Sequence, residues 1–115
     1  MAMFPLTQIL VRKVLTVPGN STVAAVPLIS VDDASRIVGV VQSNVAVTVN
    51  VRQGSGIAPT NLEYVSPSVA VAASAAEGAG SAFDMSVVGG TLRVDVVNGT
   101  GGAATVSIYV ATKGI

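Results

Sequence analysis

The sequence predicts an all-β fold: an antiparallel β-sandwich, jelly-roll-like, of about eight strands. Three observations predict it. Apolar and polar residues alternate with a period of two in one segment after another, the pattern of half-buried strands. Turn signals rich in Gly, Asn and Pro separate these segments at spacings of roughly 8–15 residues, as in sandwiches and barrels. Half the residues are hydrophobic, mostly Val and Ala, and only 10% are charged. β-Branched Val, Ile and Thr favour strand over helix.

The elements follow in order. Met1 to Leu6 reads as an extended arm, with Met3, Phe4 and Leu6 available to dock. Residues 1–8 are assigned to this arm and residues 9–115 to a single sandwich domain. Alternation is weak but present over Ile9 to Val17, Thr22 to Val31 and Ile37 to Val41. Pro18-Gly19-Asn20 and Asp32-Asp33-Ala34-Ser35 separate these runs, and Asp32 to Arg36 suits one aspartate-capped helical turn. The clearest strand follows Gln42-Ser43-Asn44. Val45, Val47, Val49 and Val51 face one way, and Ala46, Thr48, Asn50 and Arg52 the other.

Gln53 to Pro67 is the longest stretch without a strong strand. Pro59, Asn61 and Pro67 oppose regular pairing there, so it is expected to form a crossover or exposed loop. Ser68 to Ala73 alternates weakly. The five alanines between Ala70 and Ala76 also suit two turns of helix; strand is preferred because Gly78 follows so soon. Phe83, Met85 and Val87 then alternate with Asp84 and Ser86. Beyond Gly89-Gly90, Leu92, Val94 and Val96 oppose Thr91, Arg93 and Asp95. Beyond Asn98 to Gly102, Val106, Ile108 and Val110 oppose Thr105, Ser107 and Tyr109.

The missing residue types limit the chemistry. At 115 residues the chain is one domain, and it has no His, Cys or Trp. Disulfides and thiolate metal sites are excluded. General acid–base catalysis would fall to Asp32, Asp33, Glu63, Glu77, Asp84 and Asp95. Asp32 and Asp33 are adjacent, so their side chains diverge on a turn. They read as a cap and turn former, without the spaced acidic loop of a calcium site. Asp84 and Asp95 lie on the polar faces of strands, where Arg93 or Arg52 can pair with them. No His activates a serine, and no Gly-rich segment continues into the Lys-Ser/Thr of a phosphate loop. The expectation is a non-enzyme with no catalytic residue, cofactor or metal.

Six basic and six acidic residues give zero net charge, with no basic footprint for nucleic acid. No segment approaches the roughly 18 consecutive apolar residues of a membrane span. No basic residue precedes the first apolar ones, so the start does not read as a signal peptide. The triplets Asn20-Ser21-Thr22 and Asn98-Gly99-Thr100 read as turns, with glycosylation the lesser use.

So few charges cannot cover a small domain in the ordinary way. Copies of the chain, another protein, or both are expected to cover much of the surface, making it a homo-oligomer or lattice-bound. Val88, Val97, Ala46, Ala70, Ala72 and Ala111 make the outward faces small and weakly polar. Candidate partner contacts are Phe4 and Leu6 in the arm, Tyr64 in the long loop, and Tyr109 on an outward strand face.

A wider texture accompanies these features. Pro18-Gly-Asn-Ser-Thr22 leads into an apolar strand, and Val45 to Arg52 precedes a Gly-Ser-Gly loop. Tyr64 precedes Ser66-Pro-Ser68, and the chain closes with Gly90-Thr-Leu-Arg-Val-Asp-Val-Val-Asn98 and Ala104-Thr-Val-Ser-Ile-Tyr-Val110. From about Val11 onward this resembles small jelly-roll-like structural proteins of tailed bacteriophages and related viruses. The resemblance rests on texture and carries no catalytic residues. It implies a virion protein made in the host cytoplasm: a capsid decoration or minor capsid protein, or a tail component, whose partner is a capsid or tail protein. Two alternatives share the fold. One is a carbohydrate-binding or adhesion module using Tyr64 or Tyr109; such modules stack sugars on exposed Trp or Tyr, and the lack of Trp departs from many of them. The other is a self-assembling tail or filament subunit.

Overall fold

Each alternating segment becomes a strand because only one of its faces is buried. The computed structural model describes residues 7–31, 34–56 and 62–114. Its nine strands are β1 (Thr7–Val17), β2 (Ser21–Ser30), β3 (Arg36–Ser43), β4 (Val47–Gly54), β5 (Tyr64–Val65), β6 (Val69–Val71), β7 (Ser81–Ser86), β8 (Thr91–Asn98) and β9 (Ala104–Lys113). Thr7 and Gln8 thus belong to a strand, and the rest of the expected arm lies outside the described residues.

Two sheets form. One runs β1-β9-β3-β7; the other runs β2-β8-β4-β5, with β6 also on β4. All strand pairs are antiparallel. The first four strands alternate between the sheets, and the last three do likewise. This is the double-sheet jelly-roll arrangement. The shortest extent of the molecule, 20 Å, fits two layers about 10 Å apart with their side chains.

Between the sheets lies a core of mid-sized side chains. Ile37 and Val41 of β3 and Val106 and Val110 of β9 face Val49 and Val51 of β4 and Leu92, Val94 and Val96 of β8; all are fully buried. Phe83 of β7 is buried as its alternation predicts. Its directly opposite residue is Gly39 of β3. A Cβ at Gly39 would collide with the Phe83 ring and the Tyr109 carbonyl, so glycine is what lets the ring lie across β3.

Two buried amides pin the ends of the sandwich. Asn98 donates from Nδ2 to the carbonyls of Gly102 (2.7 Å), Val17 (3.1 Å) and Pro18 (3.3 Å). Its Oδ1 accepts from the Thr100 N–H and hydroxyl. Buried and fully engaged, Asn98 is closed to glycosylation in the folded chain. Gln53, at the far end of β4, accepts from the Val88 and Gly89 N–H groups and donates to the Ser86 carbonyl.

The ambiguous segments resolve simply. Strand is found only at Val69–Val71, followed by a parallel bridge from Ala73 to Ser43 and a turn at Glu77-Gly78. The alanines after Val71 form no helix. Within the stretch read as loop, Tyr64 and Val65 do pair regularly, returning to Gln53 and Arg52 of β4. Asp32 and Asp33 lie outside the described residues; the flanking Val31 carbonyl accepts from the Ala34 N–H at 3.0 Å. Asn20 supplies the positive φ (56°) of the first turn, a conformation asparagine tolerates.

Candidate interaction face

The outer face of the four-stranded sheet groups three of the exposed large apolar side chains, Ile9, Val14 and Val40; Leu28, Tyr64, Val65 and Val88 are exposed elsewhere. The side chains of this face stand in cross-strand rows set by register. Tyr109 of β9 lies directly opposite Arg12 of β1 on one side and Val40 of β3 on the other. The next row joins Val14, Ser107 and Gln42. On the opposite side of Tyr109 come Ile9, Ala111, Val38 and Asp84. Val14, Val40 and Ile9 are 62%, 52% and 47% exposed, high values for aliphatic side chains on one sheet. Val14 and Val40, with Arg12, Gln42, Ser107 and Tyr109, line a shallow, open depression.

Charge rims this apolar centre. Arg12 lies exposed on the edge strand β1, on the same face as Tyr109. Arg36 and Lys113 sit opposite each other at one end. Asp84 is the one acidic residue on these four strands, and its carboxylate accepts from the Arg36 Nε at 2.6 Å. Both partners are about half exposed, so this pair contributes little to stability.

The outer face of the other sheet differs. Thr22, Val97, Thr48 and Ala70 form one row of small, uncharged side chains. Its charges are confined to one cluster. Arg93 and Arg52 stand directly opposite each other, a repulsive placement relieved by Asp95. Asp95 accepts from both guanidinium groups at 3.0–3.1 Å and is itself buried. The cross-strand pair of Asp95 with Arg52 follows the sequence expectation, whereas Arg93 reaches Asp95 along the same strand. Asp84 instead pairs with Arg36, which the sequence reading had not singled out.

The sequence-derived contact residues are dispersed. Tyr109 is half-buried at the centre of one outer face, with exposed aliphatic neighbours. Tyr64, 48% exposed, sits on the short edge strand β5 of the other sheet. The two tyrosines therefore do not share a strip. Phe4 and Leu6 lie outside the described residues. Ala111, expected on a weakly polar outer face, is fully buried between Ile9 and Val38. Sequence reasoning missed Val14 and Val40. The signal was present: if Ile37, Gly39 and Val41 face inward, Val38 and Val40 must face outward.

No protein-family model matches this chain, and no curated protein matches its sequence.

Proposed function

We propose that this protein is a non-enzymatic structural protein of a virus particle, a capsid decoration or minor capsid protein that docks on a repetitive shell. The observation carrying the reading is the exposed aliphatic centre formed by Val14, Val40 and Ile9 around Tyr109. Three exposed aliphatic side chains around a half-buried tyrosine on one sheet face form an apolar patch of the kind that marks interaction surfaces. Burying it contributes roughly 25 cal/mol per Å² of apolar area before the costs of association. On a shell the same weak contact repeats at every lattice position, and any linkage between copies multiplies its effect. The texture shared with small phage jelly rolls supports the same reading.

The experiment is mass spectrometry of gradient-purified virus particles from the source culture, with antibody labelling of intact particles. The chain is expected in many copies per particle and on the outside. Its confinement to the soluble cell fraction, absent from particles, would overturn the reading.

A further inference from the structure

The zero net charge of the whole chain conceals a segregation of its charges. All six basic residues lie on strands: Arg12, Lys13, Arg36 and Lys113 on the four-stranded sheet, Arg52 and Arg93 on the other. The acidic residues are distributed differently. Among the described residues only Asp84 and Asp95 are acidic groups on strands, and each is held by arginine. Glu63 and Glu77 are in connections, and Asp32 and Asp33 fall between β2 and β3 in the sequence. Glu77 is in the turn whose Ala76 carbonyl accepts from Gln42. The outer face around the apolar centre thus carries three cations, Arg12, Arg36 and Lys113, against one carboxylate on its strands, and that carboxylate is already paired with Arg36.

Two such faces would repel, which disfavours stacking a second copy through this surface. The edge of the sheet is also guarded. Lys13 stands between Val11 and Leu15 at a register position that points inward, a placement that discourages a further strand from pairing there. Nucleic acid would meet the cations but leave Val14, Val40 and Ile9 without apolar partners. A surface satisfying both features has its own apolar centre and a rim of Asp and Glu.

We propose that the outer face of the four-stranded sheet binds a protein surface that is apolar at its centre and acidic at its rim. This rests on the virion reading above and adds the chemistry of the partner.

The test is an NMR titration of the isotope-labelled full chain with two peptides of equal length. One alternates Glu with Leu and Phe; the other alternates Lys with Leu and Phe. The Glu peptide is expected to move the amides of Val14, Val40 and Tyr109, and the Lys peptide to leave them in place. Raising salt from about 50 to about 300 mM should weaken the Glu peptide by about tenfold. Arg12→Glu/Lys113→Glu should weaken it by about tenfold or more, and Arg12→Gln/Lys113→Gln by less. Both side chains are exposed and in no ion pair among the described residues, so the variants should keep native spectra. If the Glu variant does not fold, the Gln variant and the salt series decide.

Equal response to both peptides, no response to the Glu peptide, stronger binding of single-stranded DNA, or movement of the same amides on dilution alone would each overturn the inference. Co-sedimentation with virus particles separates it from the broader reading. Particle binding unchanged by charge reversal sinks the acidic partner and leaves the virion role. Absent particle binding with the Glu preference intact does the reverse.

Discussion

Asn98 fastens three chain segments with one side chain. Its amide joins the end of β1, the first turn and the turn before β9, and its nearest β1 partner, Val17, is 81 positions away. Asn98→Ala strips a donor from three carbonyls and an acceptor from Thr100. It should destabilise the fold by about 2–4 kcal/mol, read by chemical denaturation. Asn98→Asp should be worse, because a carboxylate cannot donate and would face three carbonyl oxygens. A change within about 0.5 kcal/mol for the alanine variant would show that water replaces the amide at little cost. At this scale the sequence was half legible. Alternation alone buries Phe83, Val94 and Val106. By contrast, Asn98-Gly99 reads only as a turn, because its partners are fixed by the pairing of β1 with β9. The burial of Asp95 was hidden for the same reason: it depends on Arg52 arriving from β4.

Elements show where local pattern suffices and where it fails. The valines of β4 were plain because its inward face meets only apolar groups. β1 was weaker because Lys13 takes an inward position on an edge strand and Val14 an outward one. Lys13→Val would complete the apolar alternation from Val11 to Val17 and remove the guard. The variant should self-associate more strongly, seen as a higher weight-average mass in light scattering across a concentration series. An unchanged mass would place the protection elsewhere, at the bulge between Ile9 and Val11. β5 escaped notice because two residues give no periodicity. A contact nearby ties the ends of the preceding loop: Ser55 donates its N–H and hydroxyl to the Glu63 carboxylate, each at 2.9 Å. These bonds, the backbone one first, hold the Glu63 pKa below its ordinary value. A depressed carboxylate contributes its stabilisation above the unfolded pKa and loses it as pH falls through the folded one. The Ser55 amide resonance should therefore titrate with a midpoint below that of an ordinary glutamate, and Glu63→Gln should abolish the step. A flat Ser55 signal through the acid range would exclude the contact in solution.

For the whole molecule, the sandwich was legible and the strand order was not. Alternation is a local property of each segment, whereas register depends on which distant segments share a face. The jelly-roll order places β9 between β1 and β3, so Thr7 meets Lys113 across almost the whole described chain. Among the described residues β1 has no other strand partner in its sheet, and β3 keeps only the short β7. β9 also contributes Ala104, Val106, Ile108 and Val110 to the core, each buried. Truncation after Gly102 would therefore remove the centre of one sheet, leave β1 unpaired and open the core along its length. The loss should be global: collapsed amide dispersion and loss of the β-sheet circular dichroism signal, with no folded remnant. Two-state domains of this size lose structure cooperatively, and long-range pairing of this kind forms slowly because distant segments must meet first. If the truncated chain kept native dispersion in β2, β8 and β4, the five-stranded sheet would be an independent folding unit.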